Sequence, residues 1–242
     1  MLITSLDNDR VKGYIKLKDR KYRKKTNTFI VEGRHLVLEA YKAGKIIELI
    51  LEKDEVLPLD LPIVYVTNEI INKISEMENP STVMALCKMD EKEEIIGDKI
   101  LMLDGIQDPG NLGTIIRSSL AFNVDTIVLS PECVDLYNPK VIRSAMGSVF
   151  RLNLFTELEF DEIIRVLSDN NVTVYASVID KTATEIRNIH FEEKSAVVIG
   201  NEGNGVSKEI IDVCDKILIV QTEIPVLIPE HSHEYVEAIT AP

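Results

Sequence analysis

The chain has 242 residues, 45% of them hydrophobic and 28% charged, with a formal net charge of −13. That is enough for one large domain or two modest ones. No apolar run approaches the ~20 residues that a bilayer span needs, and the N-terminus lacks an apolar core followed by a small-residue cleavage site. No membrane segment is expected, and the expected compartment is the cytoplasm. Cys87, Cys133 and Cys214 are odd in number and widely spaced, which excludes a disulfide framework and a metal knuckle. They read as free thiols in a reducing compartment, and no metal is expected.

The charge is unevenly placed. Residues 1–25 hold nine Lys/Arg against three Asp, while the remaining residues carry 18 basic and 37 acidic side chains. The basic run is Arg10, Lys12, Lys16, Lys18, Arg20, Lys21, Arg23, Lys24 and Lys25. On an acidic protein such a run is a candidate phosphate contact, because neutralising phosphates releases counterions. A solvated helix face is the competing reading.

Val11, Ile15 and Leu17 recur loosely as on a helix within this run. Phe29-Ile30-Val31 forms a strand ending in Glu32-Gly33. Leu36, Val37, Ala40 and Ala43 follow a helical period that Gly44 stops. Ile46 to Leu51 and Ile63 to Val66 read as strands, Thr67-Asn68 as a cap before a helix through Ile74, and Val83 to Cys87 as a further strand. The charge-rich segment 90–98 marks a boundary, giving domains 1–92 and 93–242. The second domain begins with a buried strand, Ile100 to Leu103, then a helix from Asn111 to Phe122 and a strand from Thr126 to Leu129. Pro139 to Gly147 and Glu159 to Asn170 read as helices. Val172 to Val178 and Ala196 to Ile199 are strands, Ser207 caps a helix through Val213, and Ile217 to Val220 is the last strand. Short apolar strands alternating with helices predict an α/β fold with a mostly parallel sheet covered on both faces.

Two segments hold residues that packing does not explain. In the first, Leu103-Asp104-Gly105-Ile106-Gln107-Asp108-Pro109-Gly110-Asn111, a buried strand turns into a helix that carries Arg117. Ligands in open α/β sheets lie at the carboxyl ends of strands, where this turn falls. Asn111 reads either as a helix cap or as a site residue. In the second, Ile199-Gly200-Asn201-Glu202-Gly203-Asn204-Gly205 places three glycines in six residues after a buried strand, so backbone can approach a ligand closely. The order G-x-x-G-x-G differs from the dinucleotide G-x-G-x-x-G, and no Walker lysine is placed correctly. The G-x-x-G-x-G order and the Asn111/Arg117 pair count against a nucleotide-binding oxidoreductase.

Asp108 to Arg117 resembles the first motif of the SpoU/TrmH-like RNA 2'-O-ribose methyltransferases of the SPOUT superfamily, almost position by position. Ile199 to Gly205 resembles the second, and Asn138 to Ser148 is similar to the stretch lining the active cleft of that family. Phe29 to Gly33 and Ser75 to Ala85 resemble its substrate-binding domain. The resemblance implies a small ribosomal-protein-like α/β domain followed by a trefoil-knotted parallel-sheet domain. It implies methyl transfer from S-adenosylmethionine to a ribose 2'-hydroxyl, with ribosomal RNA ahead of tRNA as substrate, by a homodimer whose interface the apolar Val141–Val149 stretch would fit.

By the same resemblance Arg117 acts at the ribose hydroxyl, Asn111 orients Arg117 and the ribose, and Glu202 lines the catalytic side. Arginine is normally always charged, so orientation and electrostatic stabilisation of the forming alkoxide suit Arg117 better than general-base work. Gly200, Asn201, Gly203, Gly205, Ile219 and Val220 are the expected cofactor residues. Arg10, Lys12, Lys16, Arg20, Lys21, Arg23, Lys24, Lys25 and Arg143 are the expected RNA contacts. The third motif of the family has no counterpart in its usual place: Ile224-Pro225-Val226 is a displaced version, and Leu227 to Pro242 lacks its Gly and Ser-Leu-Asn. His231, Ser232 and His233 read as a polar tail. That departure keeps a non-catalytic RNA-binding relative as the alternative.

Overall fold

The computed structural model describes residues 2–90, 97–156, 160–180 and 182–220. The segment 91–96, the expected helix start at Glu159 and the tail 221–242 with its displaced third motif lie outside them, as does the closure of the expected knot.

The first domain opens with β1 (Leu2–Ile3), α1 (Asp9–Lys16) and α2 (Arg20–Thr26). Asn8 and Asp19 accept hydrogen bonds from backbone N–H groups of the first turns of α1 and α2, so the basic run forms two capped helices rather than a loose arm. Val11 and Tyr14 of α1 are buried, as is Leu17 just after it. β2 (Thr28–Glu32), α3 (Arg34–Lys42), β3 (Ile46–Glu52), β4 (Ile63–Val66), α4 (Asn68–Ile74) and β5 (Val83–Lys88) follow. The sheet order is β1-β4-β3-β5-β2. β1, β4 and β3 run parallel, and β5 is antiparallel to both β3 and β2.

The second domain contains β6 (Lys99–Leu103), α5 (Pro109–Ala121), β7 (Thr126–Leu129), α6 (Pro139–Ser144) and β8 (Asn153–Thr156). α7 (Phe160–Asp169), β9 (Thr173–Ser177), β10 (Thr184–Glu185), β11 (Ser195–Ile199), α8 (Lys208–Ile211) and β12 (Lys216–Ile219) complete it. Its seven strands are ordered β10-β12-β9-β11-β6-β7-β8, all parallel. Strands β8 and β10 were not expected. Asn153–Thr156 holds only Leu154-Phe155 between polar ends, and its pairing with β7 supplies what local pattern lacks.

The alternating side chains of β6 divide between two cores. Ile100 and Met102 join α7 and the apolar face of α8 through Ile163, Ile164, Leu167, Ile210 and Ile211. Leu103 joins α5 and α6 through Leu112, Ile116, Val141 and Ile142. This second core runs on into the first domain through Phe29, Val31, Leu36 and Val37. The rings of Phe29 and Tyr137 lie 4.6 Å apart across the domain junction. Val141, Ile142, Ala145 and Val149 are buried there, which corrects the expectation that they form a dimer face: within one chain α6 packs against α5 and the first domain.

Candidate active site and RNA-binding surface

β6 and β11 are neighbours, with Ile199 registered against Leu103. Their carboxyl ends release the two motif loops side by side. α5, following β6, packs on one face of the sheet, whereas α8, following β11, packs on the other. Strands whose connections leave to opposite faces open a crevice between them, and ligands of open α/β sheets bind in that crevice.

The loops are bonded to each other. The Asn201 side chain donates from Nδ2 to the Gly105 carbonyl (2.8 Å), while its Oδ1 accepts from the N–H groups of Gly203 (2.9 Å) and Asn204 (3.2 Å). The Asn201 and Gly205 backbones bond reciprocally, at 3.0 and 2.9 Å. Asn201 thus builds the loop, as do the amides of Gly203 and Gly205. Gly200 is pressed against the Gly205–Val206 backbone so closely that a Cβ would overlap it. Asp104 adds a further tie that sequence reading left unassigned: its Oδ2 accepts from the Ser207 N–H (2.9 Å) and its own N–H donates to the Ile199 carbonyl (2.8 Å). The available signal was its position, directly after a buried strand and before the first motif.

Asp108 caps α5, accepting from the Asn111 N–H at 2.7 Å. Helix α5 therefore begins at Pro109, and Asn111 is not its cap. The Asn111 side chain is exposed and donates from Nδ2 to Glu202 Oε1 (2.8 Å), joining two of the three expected catalytic residues from opposite loops. Arg117 is exposed six positions further along α5, a rotation that leaves the two side chains about 120° apart around the helix. The amide expected to orient Arg117 is instead held by Glu202. Gly113 is buried where α5 crosses α6, with Ser144 where its Cβ would stand. At the carboxyl edge of the sheet Ile199 ends β11 and Val220 follows β12, exposed at 37% and 52%, with Ile219 half-buried; β9 lies between the two strands. This edge combines close-packed glycine backbone, apolar strand ends and a polar Asn111–Glu202 rim. It fits a largely uncharged adenosine whose polar edge needs hydrogen bonds.

Most of the basic residues stand outward. Arg10, Lys12, Lys16, Arg20, Lys21, Lys24 and Lys25 are exposed. Arg10 pairs with Glu48 (3.5 Å) and Lys12 with Asp7 (3.1 Å). Both cations are about half exposed; Lys12–Asp7 is an exposed pair, weak enough to exchange for phosphate, whereas the Glu48 carboxylate that holds Arg10 is buried and also accepts from the Tyr14 hydroxyl. Arg23 is different: it is 3% exposed. Its Nε donates to Asp135 Oδ2 at 3.0 Å, and a second Arg23 nitrogen meets the same oxygen. Its Nη1 donates to the Leu17 and Lys18 carbonyls at 2.7 and 2.8 Å. The expectation that Arg23 contacts RNA is corrected: its guanidinium is buried, and four of its five N–H groups are taken by internal hydrogen bonds. Arg143, on α6, lines a cleft between the domains with Lys18, Arg23, Tyr14, Glu32 and Tyr137.

Residues 98–226 match the SpoU rRNA Methylase family, and residues 8–85 match the MRM3-like substrate binding domain. The 23S rRNA (guanosine(2553)-2'-O)-methyltransferase RlmP of Bacillus subtilis is 36% identical over 223 residues, covering 90% of this chain and 89% of that protein. A mitochondrial rRNA methyltransferase 3A of Danio rerio is 33% identical over 189 residues, 71% of this chain and 43% of that longer protein. Among solved structures, the AdoMet-bound rRNA methyltransferase from Sinorhizobium meliloti is 26% identical and superposes with a TM-score of 0.82, covering 93% of this chain and 90% of that one. With the parallel seven-stranded sheet and the two bonded motif loops, these matches place the chain in the SpoU rRNA methylase family of S-adenosylmethionine-dependent RNA 2'-O-methyltransferases.

Proposed function

We propose that this protein methylates a ribose 2'-hydroxyl of ribosomal RNA, with residues 1–92 gripping the RNA and residues 93–242 carrying out the transfer. The observation that carries this reading is the Asn111–Glu202 hydrogen bond, which joins the first turn of α5 to the second motif loop at the crevice between β6 and β11. Gly200, directly after β11, would hold the cofactor by backbone, with Ile199 offering apolar surface beside it and Ile219 and Val220 offering more at the end of β12, beyond β9. Bound there, S-adenosylmethionine supplies an electrophilic methyl group. Arg117 holds the phosphate beside the target ribose and stabilises negative charge forming on its 2'-oxygen, a role that a permanently charged guanidinium performs without losing a proton. Glu202 and Asn111 fix the ribose on the catalytic side. Transfer of radiolabelled methyl from S-adenosylmethionine to unmodified ribosomal RNA, mapped to a 2'-oxygen, tests this; transfer to tRNA alone would move the substrate. No observation favours the non-catalytic alternative.

The reading assigns RNA affinity to the exposed faces of α1 and α2. Deleting residues 1–25 would remove the buried Val11, Tyr14 and Leu17 and confound the test. Lys16, Lys21, Lys24 and Lys25 changed together to Gln keep the helices. Affinity is expected to fall, and the slope of log K against log salt to drop by about 0.7–0.9 for each phosphate no longer neutralised. An unchanged slope would leave these helices as a solvated face.

The protein is also proposed to work as a homodimer in the cytoplasm. The support is the resemblance to the SpoU/TrmH-like family; the exposed Phe122 (78%) and Val166 (54%) stand on helices covering opposite faces of the sheet and form no single patch. Light scattering at micromolar concentration is expected to give twice the 27.2 kDa chain mass.

A further inference from the structure

We infer that Arg23 and Asp135 are positioning residues, a buried ion pair that holds the RNA-gripping helices in one register to Arg117 so that a single ribose is presented for methylation. The inference rests on the function proposed above. Arg23 lies on α2 and Asp135 in the loop before α6, 112 residues apart. One guanidinium gathers three pieces of chain. It closes the end of α1 through the Leu17 and Lys18 carbonyls, belongs itself to α2, and reaches the catalytic domain through Asp135. From Asp135 the connection to the reacting centre is short. Tyr137 packs on Phe29, α6 begins at Pro139, and α6 meets α5 at Gly113, four residues before Arg117.

The choice of residues argues for register over adhesion. The side chains of Arg23 and Asp135 are 4% and 13% exposed, and the interface around them already has an apolar core in Phe29, Val31, Leu36, Val141 and Ile142. Adhesion alone is served as well by apolar side chains, because a buried pair loses most of its attraction to desolvation, whereas fixing register is the best-attested use of such groups. The guanidinium fork also has directionality that a packed methyl group lacks.

The test replaces both partners at once, Arg23→Met with Asp135→Leu, so that no unpaired charge stays buried; Arg23→Lys keeps the charge and loses the fork. Spin labels at Thr26→Cys on α2 and Ala121→Cys on α5, in a Cys214→Ser background, report the distance between arm and catalytic helix. The expected result is a narrow distance distribution in the parent and a broad one in the double variant, with cofactor affinity close to the parent and a melting temperature lowered by several degrees, because the Leu17 and Lys18 carbonyls lose their donor. RNA affinity should stay within about threefold, since the exposed cations remain. The kcat for methyl transfer should fall roughly tenfold, the scale on which small misplacements of reacting groups act, and methyl should spread to neighbouring riboses. Arg23→Lys should fall between the two. An unchanged distance distribution overturns the mooring. A broadened distribution with parental kcat and a single methylated ribose overturns the positioning role. If the parent methylates no ribosomal RNA, the functional reading fails and the positioning role with it, while the label distances still decide whether the pair moors the arm.

Discussion

Arg117→Ala is expected to lower methyl transfer about 10²–10³-fold, the usual effect of removing one electrostatic stabiliser of a developing oxyanion. Cofactor affinity should hardly change, because Arg117 projects from α5 while the glycine loop follows β11. Stability should hardly change either, since the side chain is exposed. A charge that acts mainly in the transition state is lost from kcat, whereas ground-state binding is lost from affinity. Calorimetry of cofactor binding, thermal unfolding and radiolabelled transfer to ribosomal RNA separate the three quantities. Near-parental transfer by Arg117→Ala would remove the residue from the catalytic set. Arg117→Lys is expected to recover only part of the rate, because a point charge replaces a planar fork.

Gly200→Ala is expected to act on the opposite side of the reaction. Its Cβ would overlap the backbone of Gly205 and Val206, and backbone cannot rotate away as a side chain can. Overpacking of this kind costs about 1–3 kcal/mol. Because the displaced segment is the proposed cofactor loop, the strain should appear as roughly 10–100-fold weaker S-adenosylmethionine binding. Gly203→Ala is the matched control. A Cβ there meets only Asn201 Oδ1, at 3.4 Å, so binding should stay within a few-fold of the parent. Equal losses for the two variants would show that the loop needs glycine generally, and the assignment of Gly200 as its close-packed point would fall.

Sequence alone determined the alternation of strands and helices, the two motif loops and their family. Each of these is local. Ile100 to Leu103 and Ala196 to Ile199 are short apolar runs bounded by turn residues, and the glycines of the second motif follow one of them directly. Asn138-Pro139 marks a helix start in the same way, and Asn138 caps that helix in the fold; the helix read from Asn111 begins two residues earlier, capped by Asp108. β1, β8 and β10 escaped notice: β1 and β10 are two residues long and β8 holds only Leu154-Phe155 between polar ends, so pairing with β4, β7 and β12 makes them strands.

Tertiary structure decided which of several similar residues does what. Nine cations in the first 25 residues are indistinguishable by composition, yet one of them, Arg23, is buried on Asp135 while most of the others face outward. Asn111 was ambiguous between cap and site until Asp108 took the cap and Glu202 the side-chain amide. The apolar Val141–Val149 stretch was compatible with an interface between two chains and proved to be the core between two domains of one. The physical reason is common to all three. Charge, hydrogen-bonding capacity and hydrophobicity are properties of a residue, whereas its partner is set by chain brought from 91 or 112 positions away, and no local pattern carries that distance.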